Sequence, residues 1–580
     1  MAPRPDLPTL PAYLAHAAGH APPEDALIFI DRREREERIH LREVFARARR
    51  SAGALYSAGV RAHDRVAIVL PTHPTFIDAL FGCQLLGAVP VPLYPPVRLG
   101  RLDEYYARTA VMMRAVEATA LITERRIRRL MGQVFAQYRP RLGTIEASTL
   151  ARGPDRPPAD LSADQLAMVQ FSSGTTVAPK PVGLTHRQVL GNVHAILDHI
   201  PLDVDYKQSG CTWLPLYHDM GLIGCVYVAV VGPGPLALIP PEVFLSRPAL
   251  WLRAISRHKA TASPAPNFAY ALCAERIKDR ELEGCDLSSW RLALNGAEPV
   301  APGSLRAFTE RFARWNLRPE ALTPVYGLAE ASLAVTFSDP TQPFQTRHLD
   351  RAALAAGAAT PVDASVQDAV EIASVGVPLR GFGVEIRNDA GQTVPEGQIG
   401  QIWAKGPSIM EGYLDRQEQP IVDDWLDTGD LGFFLDGELF IAGRAKDVVI
   451  LRGQNHTPHD IEQAVDDVEG VRVGCAIAVG DIGEDGERLV LFVEYRTPRE
   501  GFAEDCRKAV LSRTGLNPAL VVAVEPGTLP RTSSGKLRRA EALRRWKSGE
   551  LAPPQKVTPW MIAGAMARSA FGYLQSQRRE

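Results

Sequence analysis

A run of small and hydroxylated residues that ends at a lysine has the composition of an anion-binding loop. It reads Ser172, Ser173, Gly174, Thr175, Thr176, and it is followed by Lys180. Apolar residues before and after it predict a strand over 166–171 and a second short strand over 182–184. Such a loop offers backbone N–H groups and hydroxyls to a phosphate, and the lysine adds positive charge. The pattern is also typical of a flexible surface turn, and no Walker A sequence occurs in the chain.

Four other stretches place polar groups directly after apolar ones, where a nucleotide site needs them. They are WLPLYHDMG at 213–221, NGAEP at 295–299 with YGLAE at 326–330, DTGD at 427–430 with GRAKD at 443–447, and PRTSSGK at 530–536. Carboxylates suit a divalent cation or ribose hydroxyls, and a lysine in a Ser/Gly-rich loop can deliver charge to a reacting group. Together with the loop at 172–180, these stretches support a phosphate-binding hypothesis.

The composition narrows the class of protein. A chain of 580 residues is long enough for two to four lobes. Lys and Arg number 65 against 67 Asp and Glu, which argues against a nucleic-acid partner. The seven cysteines are scattered without a Cys-x-x-Cys pair and predict free thiols in a reducing cytoplasm. The N-terminus has no apolar signal segment. The longest apolar run, 221–240, is broken by Gly-Pro-Gly-Pro and predicts a buried strand and turn rather than a membrane span.

Strands and helices alternate through residue 330 and predict parallel sheets covered by helices. Helices are expected over 8–20, 41–60 and 72–86, with buried strands at 65–70, 88–94, 120–123, 210–215, 236–240, 260–264 and 291–296. In such α/β folds, ligands bind at the carboxyl ends of the strands. The phosphate loop, Asn295-Gly296 and Tyr326-Gly327 all follow strands, so we expect them to face one cleft.

The pattern changes beyond residue 338. Residues 338–372 form a polar insert with a short helical patch, and 373–440 predict a small β-subdomain with a hairpin turn at Asp436-Gly437. A boundary falls near 444. Beyond it, helices at 457–469 and 502–514 and strands at 474–479 and 489–493 predict an α+β lobe. The tail after 548 is either a docking helix or a frayed end.

In this order, the five stretches resemble the adenylate-forming superfamily of acyl-CoA synthetases, nonribosomal adenylation domains and luciferases, over residues 10–545. WLPLYHDMGLIG, NGAEPV, RGQNHTPHDIE and the 338–372 insert are similar to fatty acyl-AMP ligases. The resemblance implies a large N-terminal adenylation lobe over 1–444 and a mobile C-terminal lobe over 445–580. It implies activation of a fatty acid by ATP, with release of pyrophosphate. The acyl group then passes to a separate acyl carrier protein, with little use of coenzyme A.

The resemblance also implies roles for individual residues. The 172–176 loop and Lys180 would bind the β- and γ-phosphates of ATP, although Pro181 stands where the family usually has glycine. Glu330 would ligate Mg²⁺, and Asp430 would accept both ribose hydroxyls, with Arg444 on the ribose or a phosphate. Adenine would lie against Tyr326 and the 295–297 backbone. The full set of nucleotide-binding candidates adds Asn295, Gly296, Ala297, Glu298 and Gly327.

Lys536 is the main catalytic candidate, because an ammonium there would stabilise the charge that builds between carboxylate and α-phosphate. Lys446 would be the hinge of the C-terminal lobe. His218 is expected to steer or gate the acyl group at the catalytic centre without transferring a proton. The acyl pocket is assigned to His218, Asp219, Met220 and Gly221, with Phe244, Pro266 and Phe268 as further walls.

Two alternatives remain open from the sequence. One is an acyl- or aryl-CoA synthetase, and the other is a non-catalytic module that binds an acyl-adenylate or fatty acid. The presence of Lys536, Glu330 and Asp430 disfavours the second alternative. No Asp-Ser-Leu pantetheine attachment signal occurs, so the carrier is expected to be a separate protein.

Overall fold

A large, mainly parallel sheet carries the strand ends predicted to face the cleft. The computed structural model describes residues 4–96, 99–172, 179–200, 208–366, 369–415, 419–451, 454–483, 486–532, 535–554 and 559–577. The central parallel strands, in spatial order, are Leu322–Gly327, Leu292–Asn295, Ala262–Ala265, Gly210–Thr212, Leu236–Leu238 and Ala26–Ile30. Antiparallel strands Ala334–Phe337 and Val377–Pro378 extend one edge, and Glu36–His40 forms the other.

Both faces of this sheet are covered, as expected for parallel strands. In strand Ala26–Ile30, Leu27 and Phe29 belong to one apolar cluster, while Ala26, Ile28 and Ile30 belong to another. A second, four-stranded parallel sheet contains Val89–Leu93, Arg65–Val69, Ala120–Thr123 and Thr144–Glu146 in spatial order. The predicted alternation of strands and helices is therefore confirmed.

The helices follow the apolar spacing of the sequence. Helix Leu41–Ser57 buries Leu41, Val44 and Ala48 on one face, as the pattern predicts. Thr185 and Gln188 form a capping box at the start of His186–His199. The other α-helices of four or more described residues before the insert are Leu10–His20, Pro74–Leu86, Leu102–Ala115, Arg125–Arg128, Gly132–Gln137, Ala147–Leu150, Val228–Val231, Pro241–Ser246, Ala249–His258, Asn267–Arg276 and Pro302–Phe312.

One predicted element is wrong. The apolar run 221–240 starts as a helical segment, with a π-helical turn over Leu222–Tyr227 and an α-helical turn over Val228–Val231. Only Leu236–Leu238 is a strand. A continuous apolar run has no periodicity that separates a buried helix from a buried strand. Of the helices in the described ranges, none combines the length and the apolar character needed to cross a bilayer.

The β-subdomain and its predicted hairpin are present. Strands Gly383–Arg387, Gly400–Lys405, Trp425–Leu435, Ile421–Val422 and Glu438–Arg444 form an antiparallel sheet. Asp436 and Gly437 have φ values of 53° and 77°, as a tight two-residue hairpin turn requires. Strand Trp425–Leu435 carries Asp430, and Arg444 ends the next strand directly opposite it.

The described residues of the insert include an antiparallel hairpin, and ion pairs join them to other parts of the fold. Strands Thr346–Leu349 and Val370–Ala373 pair antiparallel around helix Arg351–Ala355. Arg306, on helix Pro302–Phe312, donates to Glu371 at 2.8 Å, and Arg347 donates to Asp436 at 2.8 Å. Arg351 donates to Asp460, beyond residue 444. The insert thus touches the main sheet region, the β-subdomain and the C-terminal part.

The described residues beyond 444 combine helices and a β-sheet, in agreement with the predicted α+β lobe. Strands Val471–Gly483, Gly486–Tyr495 and Leu520–Val524 make one sheet, and Val449–Leu451 pairs with Gln454–His456. The predicted helix over 502–514 is confirmed, whereas the helix expected over 457–469 is shorter, at Pro458–Gln463. The remaining helices are Arg539–Lys547 and Pro559–Gln577.

The tail is a docking helix. Helix Pro559–Gln577 packs against Gly132–Gln137 of the N-terminal part. The Gly132 N–H donates to Ser569 Oγ at 2.8 Å, and the Tyr573 hydroxyl donates to Arg128 O at 2.8 Å. A Cβ on Gly132 would lie 1.8 Å from Ser569 O, so the close approach of the two helices depends on this glycine.

Candidate active site

A cavity of about 2390 Å³ lies where the main sheet, the β-subdomain and the C-terminal part meet. Most of the residues selected from the five sequence stretches line it. They are Ser172, Lys180, His218, Asp219, Met220, Gly296, Ala297, Glu298, Tyr326, Gly327, Glu330, Asp430, Arg444, Lys446 and Lys536. Gly296, Tyr326, Gly327 and the two ends of the phosphate loop, Ser172 and Lys180, therefore face one cleft, as expected from the strand ends.

The two ends of the phosphate loop are held by strand pairing. Strands Leu166–Phe171 and Pro181–Thr185 are antiparallel, with Phe171 opposite Pro181. The Ser172 N–H donates to Lys180 O at 2.9 Å, and the Lys180 N–H donates to Ser172 Oγ at 3.4 Å. Pro181 stands where the strand begins, so its fixed φ suits the local backbone. Ser173, Gly174, Thr175 and Thr176 lie outside the described residues.

A tyrosine that the sequence analysis missed connects Lys180 with Glu330. Glu330 lies on the short turn Ala329–Ala331, after the strand that carries Tyr326. The Tyr413 hydroxyl donates to Glu330 Oε1 at 2.8 Å. Lys180 Nζ stands 4.8 Å from the centroid of the Tyr413 ring. Tyr413 lies in an irregular stretch, so no periodicity or motif singled it out.

Asp430 is held between two donors. The Tyr326 hydroxyl donates to Asp430 Oδ2 at 2.8 Å, and Arg444 Nε donates to Asp430 Oδ1 at 3.1 Å. Burial and the Asp430 charge raise the pKa of Tyr326, which keeps its hydroxyl a donor. Burial acts to lower the pKa of Arg444, but Asp430, Glu330 and Asp447 together leave it raised. The arrangement orients a carboxylate toward the cavity.

The NGAEP stretch divides between the cavity and the core. A Cβ on Gly296 would lie 2.8 Å from the Val325 side chain, and Ala297 has a φ of 70°. Asn295 is fully buried, and its amide donates to Asn267 Oδ1 at 3.3 Å. The Asn295 side chain therefore lies in the core and does not line the cavity. Burial raises the pKa of Glu298, whose carboxyl accepts from the Phe268 N–H at 2.7 Å.

Lys536 reaches the cavity from the C-terminal part. A tight turn holds its backbone, with Thr532 N–H donating to Lys536 O at 2.7 Å and Lys536 N–H donating to Thr532 Oγ1 at 3.0 Å. Burial lowers the pKa of Lys536, and Asp219 is the strongest opposing influence. Glu298 and Asp430 also act on this ammonium from the N-terminal part. Lys536 therefore lies within electrostatic range of three carboxylates of the N-terminal part, and of Arg444, which acts with burial to lower its pKa.

His218 and Asp219 form a directly bonded pair beside Lys536. His218 Nδ1 contacts Asp219 Oδ1, and the Met220 N–H donates to the same oxygen at 2.8 Å. Burial acts to raise the pKa of Asp219, but His218 and Lys536 hold it below its usual value. Asp219 is therefore a buried carboxylate that stays ionised between two basic groups.

Two of the expected acyl-pocket residues lie behind the cavity wall. Gly221 packs against the Pro215 carbonyl, where a Cβ would lie 2.3 Å from Pro215 O. Phe244 is fully buried and stacks on Trp213, with ring centroids 3.9 Å apart. Trp213, rather than Phe244, lines the cavity, together with the expected Pro266 and Phe268. A buried aromatic residue and a wall residue have the same sequence pattern, so the sequence alone does not separate Phe244 from Trp213.

The donor set suits a magnesium ion shared with a nucleotide. Within the described ranges, no three His, Cys, Asp or Glu side chains are grouped to hold a metal ion. Mg²⁺ usually takes one or two carboxylates and completes its shell with phosphate oxygens and water. Glu330, on the cavity wall, fits that requirement as a single protein ligand.

Known proteins match the chain over most of its length. The AMP-binding enzyme family matches residues 14–414, and the Disco-interacting protein 2-like AMP domain matches residues 446–556. Long-chain-fatty-acid–AMP ligase FadD26 of Mycobacterium marinum is 35% identical, covering 93% of this chain and 97% of the relative. Medium-chain-fatty-acid–[acyl-carrier-protein] ligase JamA of Moorena producens is 32% identical, covering 94% of this chain and 96% of the relative. A Caulobacter vibrioides protein named as an acyl-CoA synthetase is 35% identical, covering 86% of this chain and 88% of the relative.

The fold comparison agrees with the sequence relatives. A solved structure from work on fatty acyl-adenylate ligases of E. coli and L. pneumophila has a TM-score of 0.88 and 33% identity. The match covers 94% of this chain and 99% of the solved structure's chain. The cavity, the strand order and these relatives agree: the chain belongs to the AMP-binding enzyme family of adenylate-forming ligases.

Proposed function

We propose that this protein activates a fatty acid with ATP and then transfers the acyl group to the thiol of an acyl carrier protein. The observation that carries the proposal is the position of Lys536, which enters a cavity lined by Asp430 and Glu330 of the N-terminal part. A fatty-acid carboxylate oxygen attacks the α-phosphorus of ATP, and the bond to pyrophosphate breaks. The carrier thiol then attacks the acyl carbonyl, loses its proton, and displaces AMP.

Lys536 is the proposed catalytic group of the first step. Negative charge from the carboxylate and the α-phosphate comes together in the transition state, and a preorganised ammonium there lowers the barrier. Asp219 opposes the effect of burial on the pKa of Lys536 and so favours its charged form. His218 contacts Asp219 and is proposed to position it, not to transfer a proton.

The nucleotide is proposed to lie along the strand ends of the main sheet and the β-subdomain. Asp430 would accept the ribose hydroxyls, since Tyr326 and Arg444 fix its orientation at 2.8 and 3.1 Å. Adenine would lie against Tyr326 and the close-packed backbone at Gly296. Lys180 and the 172–176 loop would hold the β- and γ-phosphates. Mg²⁺, held by Glu330, would neutralise part of the phosphate charge.

The acyl chain is proposed to leave the catalytic centre past His218 and Met220. Trp213, Pro266 and Phe268 continue the wall from there. These side chains are apolar or aromatic, which favours burial of a hydrocarbon chain over a charged substrate. The names of the relatives FadD26 and JamA agree with a fatty-acid substrate.

Transfer to a carrier protein rather than to coenzyme A is supported by the contacts of the insert. We propose that residues 445–580 rotate about Lys446 between the two half-reactions, a division supported by the family match that begins at 446. Arg351 of the insert binds Asp460, and Arg306 anchors the insert through Glu371. This bridge would hold the C-terminal part in the arrangement that places Lys536 in the cavity. The name of JamA, a ligase for an acyl carrier protein, agrees with the proposal.

The test is product analysis by mass spectrometry with ATP, Mg²⁺ and a panel of fatty and aryl acids. Each acid is supplied alone, with coenzyme A, or with a phosphopantetheinylated carrier protein. We expect acyl-adenylate and pyrophosphate from a fatty acid alone, and an acyl-carrier thioester when the carrier is present. Abundant acyl-CoA would favour a CoA synthetase, and no pyrophosphate with any acid would favour a non-catalytic binding module.

A further inference from the structure

We propose that Tyr413 is a positioning residue that holds the metal-binding carboxylate of Glu330 and the phosphate-binding ammonium of Lys180 in fixed relation. The inference rests on the proposed function and adds a residue outside the five sequence stretches. Tyr413 is 8% exposed, and two of its side-chain contacts are of different kinds. Its hydroxyl donates to Glu330 Oε1 at 2.8 Å, and its ring lies under Lys180 Nζ at 4.8 Å.

The backbone around Tyr413 is tied to both partners. The Leu414 N–H donates to Pro181 O at 3.0 Å, next to Lys180 in the chain. The Met410 N–H donates to Glu330 O at 2.8 Å. The loop over 410–414 therefore bridges the strand that follows Lys180 and the turn that carries Glu330. A movement of either partner would strain a hydrogen bond to this loop.

Gln419 closes the loop and fixes the tyrosine in it. Its Oε1 accepts from the Tyr413 N–H at 3.1 Å, and its Nε2 donates to Tyr413 O at 3.3 Å. Gly412 has a φ of 154°, and a Cβ there would lie 2.3 Å from Gln419 Oε1. The close packing of Gly412 on Gln419 therefore leaves the Tyr413 backbone little freedom to shift.

The two contacts should have separable effects on nucleotide binding. A hydrogen bond to a metal-ligating carboxylate orients it, and loss of such a partner typically weakens metal affinity by about 10- to 100-fold. A cation held over an aromatic ring gains a modest attraction that grows when the site is dry. The hydroxyl should therefore control the Mg²⁺ requirement, while the ring should contribute to ATP affinity through Lys180.

The experiment measures ATP binding by calorimetry over a range of Mg²⁺ concentrations, together with acyl-adenylate formation. For Tyr413→Phe, which keeps the ring, we expect half-saturation to need about 10-fold more Mg²⁺. ATP affinity at saturating Mg²⁺ should change by less than about twofold, because the ring contact to Lys180 remains. For Tyr413→Leu, ATP affinity should also fall about fivefold at saturating Mg²⁺.

The matched control is Tyr138→Phe, which loses a hydroxyl hydrogen bond to Ala118 O at 3.1 Å away from the cavity. It should leave both binding curves unchanged, and all variants should keep the wild-type melting temperature within a few degrees. An unshifted Mg²⁺ dependence in Tyr413→Phe, with the wild type still forming acyl-adenylate, overturns this inference alone. A shifted Mg²⁺ dependence without acyl-adenylate from any acid overturns the proposed function and leaves the role of Tyr413 standing.

Discussion

Lys536 and Asp219 line one cavity, although they are far apart in the sequence and belong to different parts of the fold. Asp219 is the strongest influence that opposes the lowering of the Lys536 pKa by burial. Lys536 in turn helps to hold the pKa of Asp219 below its usual value. Each group thus favours the charged form of the other, as expected for opposite charges in a desolvated site.

Replacement of Lys536 by alanine should abolish most adenylation while leaving the fold intact. Loss of one preorganised charge-stabilising donor typically costs roughly 10²–10³ in rate. Pyrophosphate release with a fatty acid measures the loss, and calorimetry should show that ATP still binds. Lys508→Ala, an exposed lysine in the same part of the chain, is the control. A Lys536→Ala enzyme with near-wild-type turnover would contradict the catalytic assignment.

The rate of adenylation should fall as pH rises, and the fall should begin at a lower pH than the pKa of an ordinary lysine would predict. Burial lowers the pKa of Lys536, so its charged fraction is lost earlier as pH rises. Asp219→Asn removes the charge that opposes this shift, so the alkaline limb should move to still lower pH. The pH profile of pyrophosphate release checks the direction of the shift.

The control for this pH profile is Asp424→Asn, which removes an exposed carboxylate that pairs with Lys405 at 3.2 Å. Its alkaline limb should coincide with that of the wild type. An Asp219→Asn limb that stays in place or moves to higher pH would mean that Asp219 does not support the charge of Lys536.

Arg351→Ala should loosen the C-terminal part from the rest of the protein. The lost pair with Asp460 is partly buried, and a hydrogen bond between charged groups is worth about 1.5–3 kcal/mol. We expect faster amide exchange over 454–463 and more acyl-CoA when coenzyme A is supplied. Arg347→Ala is the matched control, because its partner Asp436 precedes residue 444. Equal acyl-CoA yields from the two variants would argue against a restraining insert.

Gly132→Ala should displace the tail helix. The new Cβ would lie 1.8 Å from Ser569 O, which is backbone and has no room to yield locally. We expect faster amide exchange over Pro559–Gln577 and a melting temperature lower by a few degrees. Gly19→Ala, where a Cβ meets nothing within 4 Å, is the control. Undisturbed exchange in the tail of Gly132→Ala would show that the docking is not close in solution.

The sequence predicted the elements whose burial pattern is local. Strand Arg65–Val69 and helices Leu41–Ser57 and Phe502–Thr514 fall where apolar spacing placed them, because periodicity reports which face each segment buries. The run 221–240 failed the same test, since an apolar segment without a polar face has no period to identify. Asn295 lies on the strand end that the sequence indicated, but only the structure shows that its side chain is buried and bonded to Asn267.

By itself, the sequence determined the types and order of the groups that line the cavity, together with the strands that end beside them. The tertiary structure alone decided which distant groups meet. Tyr413 joins Glu330 to Lys180, Arg351 reaches Asp460, and the tail helix returns to Gly132. The physical reason is that periodicity records contacts within a segment, whereas pairing between segments depends on how the chain returns through space.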